Sequence, residues 1–181
     1  MYFRIMDNST LDDHFDVFKS KYTYSTFLER AISSVVDSVV LIVPNLGMDF
    51  LLKNHILSSV ISNLLGILYF ALMESGRNQA TLRKMIYQMK VVDYTYQRLS
   101  FSQALTRAAL KYAGSLVYLA AEVMYSSQIG AIGADSPLLK AMGIMMLISL
   151  TDVLWAFSNT EVQTLHDKIA RTYVMKSEAS L

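Results

Sequence analysis

The sequence has 181 residues and a net charge of only +1, with 53% hydrophobic and 17% charged residues and a mean hydropathy of +0.33. A soluble domain carries about 25% charged residues, so this composition excludes a chain that faces water on every side. The absence of cysteine excludes disulfides, thiolate catalysis and Cys-based metal sites.

Met1 to Lys21 carries Asp7, Asp12, Asp13 and Asp16. The basic start and apolar run of a secretory signal are missing there, so the first apolar run is expected to stay as a helix. Leu11, Phe15 and Phe18 recur at helical spacing after Ser9 and Thr10. That spacing predicts a short amphipathic helix on the membrane surface.

Four long apolar runs follow. Ala31 to Met48 is interrupted only by Asp37, and Ile56 to Met73 holds no charge. Tyr112 to Ile132 contains Glu122, and Ala141 to Phe157 contains Asp152. Each is roughly 17–21 residues, enough to cross ~30 Å of hydrocarbon at ~1.5 Å per residue. The first and last draw on flanking Phe27, Leu28, Leu138 and Leu139. The expected fold is all-α: a four-transmembrane-helix bundle with cytoplasmic interfacial helices.

The loop between the second and third runs has its own pattern. Over Ala80 to Lys90, Leu82, Met85, Ile86 and Met89 share one helical face, with Arg83, Lys84, Gln88 and Lys90 elsewhere. Such a helix lies in the headgroup layer, and anionic lipid headgroups are its expected partners. Val91 and Val92 favour β structure, as do Tyr173, Val174 and Met175. These pieces are expected to pair as a small β-ribbon.

Of the 16 Lys and Arg, all but Lys53 and Lys140 fall before the first run, between the second and third, or after the fourth. The positive-inside rule then puts both termini and the middle loop in the cytoplasm, with the chain integral to the cytoplasmic (inner) membrane.

Charge inside the membrane marks the candidate functional residues. An ionised side chain at a helix centre costs ~2.5–3.5 kcal/mol facing lipid, so Asp37, Glu122 and Asp152 together would cost roughly 8–10 kcal/mol. That rivals the stability of a whole domain, so all three must face the bundle. Arg30, Ser34 and Asp37 share a face of the first helix. Arg107, Lys111, Ser115, Tyr118 and Glu122 form a stripe on the third, and Ser149 and Asp152 share a face of the fourth. Ser59, Ser62, Asn63 and Gly66 suit close helix packing on the second. Two readings stand side by side. Arg30 with Asp37, and Lys111 with Asp152, are structural ion pairs that set helix register. Alternatively, Asp37, Glu122 and Asp152 form a proton or ion pathway, with Glu122 deepest.

The last segment, Gln163-Thr164-Leu165-His166-Asp167-Lys168-Ile169-Ala170-Arg171-Thr172, resembles the Q-x-L-H-D-K-x-A-G-T ending of the RDD family of small membrane proteins. Arg30 followed seven residues later by Asp37 is similar to the family's first helix. The middle loop, with Gln79 to Lys84, Val91-Val92-Asp93, Leu99-Ser100 and Arg107, is similar to its Q-T-x-G-K and V-V-D pieces and to the arginine opening the next helix. The likeness runs from Arg30 to Val174. It implies an RDD-like membrane domain over residues 24–176, flanked by an amphipathic segment (1–23) and a tail (177–181). The family usually has glycine where Arg83 and Arg171 stand, so the loop shape is expected to change there. Its outer hairpin, from Gly130 to Pro137, is the expected place of a departure in span number.

The resemblance implies either cation/proton transport or a module of a larger membrane assembly. The matching residues are Arg30, Asp37, Thr81, Lys84, Asp93, Arg107, His166 and Asp167. All except Asp37 fall at or beyond the cytoplasmic boundary, where with Lys111 they would make a polar network. A carrier's ion site lies nearer the midplane, often at broken helices. Pro44 is the only proline inside a span. No catalytic residue is assigned. Glycine loops for phosphates or dinucleotides and a nucleophile elbow are absent, and three histidines are too few for a protein-only metal site at His166 and Asp167. His166 and Asp167 are instead expected to tie the last segment to the middle loop through Lys84, Arg107 or Thr81. The expected protein is no enzyme, takes no cofactor or metal and binds no nucleic acid. It is read as a structural or interaction subunit, partnered by another membrane protein or by itself, with cation/proton transport as the alternative.

Overall fold

Capping residues set where the helices begin. Thr26 and Glu29 form a capping box at the start of α1 (Phe27–Leu52), and Asn54 caps α2 (His55–Ser75) through Leu57 N. A short α3 (Leu82–Ile86) follows. Ser100 and Gln103 box the start of α4 (Phe101–Lys111), and α5 (Ala113–Met124) continues from it. Pro137 opens α6 (Pro137–Leu154), which ends in a 3₁₀ turn (Trp155–Ser158). Thr164 caps the last short helix, α7 (Leu165–Ile169). The computed structural model describes residues 22–126 and 136–177. The helix expected around Leu11, Phe15 and Phe18, and residues 130–135 of the hairpin expected from Gly130 to Pro137, lie outside the described residues.

Three strands close one end of the bundle. β1 (Tyr22–Tyr24), β2 (Met89–Asp93) and β3 (Thr172–Ser177) form an antiparallel sheet with β3 in the middle. The expected ribbon is present, with Val91 opposite Val174 and Val92 opposite Tyr173. The third strand is additional. It pairs Tyr22 with Ser177 and Tyr24 with Met175, and so lies across the boundary drawn at residues 23 and 24. The fold is thus mostly helical with a small sheet, rather than all-α. Met89, Val91, Leu99, Ala104 and Val174 form the core beneath the sheet.

The middle-loop helix is shorter than expected. α3 ends at Ile86, Gln88 takes a left-handed φ of 54°, and Met89 enters β2. Lys84 turns inward and is buried, so α3 does not lie flat with all its charges outward.

Among the described residues two helices are long and apolar enough to cross a membrane: His55–Ser75, with mean hydropathy 2.0, and Pro137–Ser158, with 1.6. The first and third expected runs give shorter apolar helices, Val39–Leu52 and Ala113–Met124. The third run opens at Tyr112, which at φ −89° and ψ 4° separates α4 from α5, and α5 ends at Met124. The outer surface is apolar on several helices. Phe50 is 85% exposed, Val43 72% and Leu147 65%. Water would penalise so much contiguous apolar surface, whereas lipid accepts it.

α5 and α6 touch at Gly114, where a Cβ would stand 2.9 Å from the Met145 carbonyl oxygen. Gly47 on α1 has nothing within 4 Å of that position. Gly114→Ala is expected to force the helices apart and destabilise by about 1–3 kcal/mol, whereas Gly47→Ala is expected to be neutral or mildly stabilising. Thermal unfolding of the two variants in detergent checks this: equal midpoints would mean that α5 and α6 do not depend on the close contact.

Candidate functional site

The sheet end of the bundle holds a buried charge network assembled from six elements. Glu74, at the end of α2, is fully buried and meets Lys84 Nζ of α3 at 2.6 Å. Its other oxygen accepts from Arg107 of α4. Arg107 also reaches Asp167 of α7, with Nε donating to Oδ1 at 2.8 Å. Asp167 is also paired with Arg30 of α1, which donates in addition to the Val162 carbonyl. His166 extends the network to α6. Its backbone N–H donates to Asp152 Oδ1 at 2.8 Å, and its Nδ1 lies 2.7 Å from Asp152 Oδ2.

The sequence-level pairs are therefore redistributed. Arg30 does not pair with Asp37: seven residues separate them by ~10 Å along the helix, and Arg30 turns to Asp167. Asp37 is buried and accepts from Thr81 Oγ1 at 2.8 Å and from Tyr69 Oη at 3.3 Å. Lys111 does not pair with Asp152. Its ammonium sits 3.5 Å from the centre of the Phe70 ring, a cation–π contact, while Asp152 is taken by His166. Asp93 stays outside the network. It accepts from Thr95 N at 2.8 Å, Thr95 Oγ1 at 2.7 Å and Gln97 N at 2.8 Å, closing the turn after β2. His166 and Asp167 do tie the last segment to the rest of the chain, through Arg107.

Burial and partners set the protonation of this cluster. Burial alone would raise the Asp167 carboxyl, but Arg107 and Arg30 outweigh it and hold it well below the usual 3.8. Burial lowers the Lys84 ammonium against the opposing pull of Glu74. It also lowers the His166 imidazole below its usual 6.5, against the opposing pull of Asp167 and Asp152. Among the described residues no group of three or more His, Cys, Asp or Glu is placed to hold a metal ion.

Glu122 belongs to a second, separate site. The expected stripe on the third helix divides at Tyr112. Arg107 and Lys111 serve the sheet end, whereas Ser115, Tyr118 and Glu122 face a cavity of about 260 Å³. α1 contributes Asn45 and Asp49 to it, and α2 contributes Ser59 and Asn63. Tyr112 forms the wall toward the charge network. A Cβ at Gly66 would fall 2.1 Å from its hydroxyl, so only glycine lets the ring lie against α2. The small polar face of α2 is thus consumed inside the bundle and is not free for a partner.

Sequence reasoning missed Glu74, which stands one residue beyond the second apolar run, and Asp49. The signal for Glu74 was present in Lys84 and Arg107, two cations in one buried neighbourhood that need an anion. Arg171 takes a left-handed φ of 55°, a conformation that glycine adopts more readily than other residues.

The sequence pattern of the RDD family matches residues 24–171. No curated protein and no solved structure matches the chain.

Asp167→Asn leaves Arg30 and Arg107 buried beside a neutral group and is expected to cost about 3–5 kcal/mol. The depressed carboxyl stabilises the fold at every pH above its unfolded value of 3.8, and the contribution fades as pH falls toward the folded value. The stability gap between wild type and Asp167→Asn should therefore be constant near neutrality and shrink below about pH 4. Unfolding measured across pH checks this; a gap that widened in acid would contradict the assignment.

Proposed function

The chain belongs to the RDD family and is a membrane protein, and from that premise we propose that it is a four-span, non-enzymatic structural or interaction subunit of a membrane assembly. In this reading the apolar runs carried by α1, α2, α5 and α6 cross the cytoplasmic (inner) membrane, and α4, the sheet and both termini lie on its cytoplasmic side. The asymmetric distribution of Lys and Arg supports that orientation. The observation that carries the role is the closure of the charge network on itself. Glu74 and Asp167 are each held by two cations. Ions so held fix geometry; they are poorly suited to binding and releasing a cargo. α6 adds a surface for a partner. It packs on α5 and α7, and Gly143 on it has open space around its Cβ position, as suits close approach by another membrane helix.

A specific observation favours cation/proton transport as a second reading. Glu122 Oε2 and Asn63 Oδ1 are buried without a hydrogen-bond partner, and both residues line the cavity. The two readings separate by experiment. The first expects a stoichiometric membrane partner, or a second copy, that crosslinks at a Cys placed at Gly143 and is lost in Gly143→Leu, with no flux from the protein alone. Ion-dependent proton flux in proteoliposomes, abolished by Glu122→Gln, would replace the first reading with the second. The cysteine-free chain also lets single cysteines report orientation. Asn54→Cys should react with an impermeant maleimide added outside cells, and Gln97→Cys only after lysis; the reverse pattern would overturn the topology.

A further inference from the structure

We propose that the cavity between α1, α2 and α5 binds a small protonated amine, an alkylammonium ion held by Glu122 and Asn63. The claim concerns binding alone and goes beyond both readings above, since it requires neither flux nor a partner.

Two independent features point to a ligand that carries donors and positive charge. The first is the pair of unanswered acceptors. Asn63 is 9% exposed, and its Nδ2 donates to the Ser59 carbonyl at 2.9 Å. That bond sets the amide's orientation and leaves Oδ1 without a partner. Glu122 Oε2, on the facing helix, is in the same state. A buried acceptor left unmade costs ~1–3 kcal/mol, and here two occur in one cavity. The second feature is the composition of the wall. Asp49 and Glu122 are its charged residues, and no Lys or Arg lines it among the described residues. A group with several N–H donors and a positive charge answers both features.

Size and wall chemistry narrow the class. About 260 Å³ is room for roughly eight waters, far more than a bare alkali ion fills. Leu119 and the rings of Tyr112 and Tyr118 are the apolar and aromatic part of a lining that is otherwise polar. An alkyl chain can rest on that part, and an ammonium is attracted to ring faces. An alkali ion would use the acceptors but leave the rest of the volume to water.

Isothermal titration of the purified full chain in detergent tests the proposal. Ethylammonium chloride is compared with sodium and potassium chloride at equal ionic strength, and with propanol as a neutral molecule of similar size. Saturable binding is expected for ethylammonium alone. It should weaken about tenfold or more in Glu122→Gln and tighten in Asn63→Asp, which adds a carboxylate at the second acceptor. Size-exclusion elution checks that each variant is folded. If Glu122→Gln does not fold, Asn63→Asp decides, and an unchanged affinity there overturns the proposal. Silence with ethylammonium, equal affinity in Glu122→Gln, or equal binding of sodium or potassium would overturn it too. None of these outcomes bears on flux or on a partner, so the proposal fails separately from the proposed function.

Discussion

Arg107 stands between Glu74 and Asp167, and the rest of the sheet end is arranged around that contact. All three side chains are buried, where a lone charge is intolerable and each ion needs an answer from the protein. Arg107 belongs to α4, Glu74 to α2 and Asp167 to α7, so satisfying one guanidinium places three helices. Lys84 and Arg30 then bring in α3 and α1 as further counter-charges. His166 brings in α6 through Asp152. The sheet lies over this cluster, with Val91 and Val174 beneath it as an apolar cover.

The polar groups fall into two regions with opposite states of satisfaction. At the sheet end Glu74 and Asp167 are answered by Lys84, Arg107 and Arg30. In the cavity two acceptors remain open. Tyr112 divides the regions, at the junction where α4 gives way to α5. Gly66 makes the division possible by admitting the Tyr112 ring against the α2 backbone. One interrupted helix thus supplies a closed structural joint at one end and an open polar chamber at the other.

Much of this was legible in the sequence, and the reason differs from element to element. The apolar runs were legible because a lipid-facing helix leaves a long unbroken signal, and the β2–β3 pairing because Val91, Val92 and Tyr173 to Met175 favour strands. The family likeness rested on motifs whose order along the chain is unusual. Pairings were harder. Arg30 and Asp37 share a helical face, but a long arginine side chain reaches whichever anion tertiary packing brings near. Lys84 looked like part of a basic surface because periodicity records faces and cannot see that Glu74 waits beneath. The division at Tyr112 left no local mark, since no Pro or Gly stands at that residue. β1 is only three residues long and depends on β3 for its pairing, so its own sequence says little.

β3 is the middle strand of its sheet, and it follows both of its neighbours in the sequence. The strands on either side of it, β1 and β2, share no ladder with each other. Asp167, a few residues earlier, is likewise the shared anion of Arg30 and Arg107. During synthesis, then, the ribosome delivers both outer strands and both arginines well before the pieces that join them. Glu74 can neutralise Arg107 early, but Arg30 has to wait for more than a hundred further residues. Closure of this end of the molecule therefore waits for α7 and β3, and a chain cut short before residue 167 lacks its keystone.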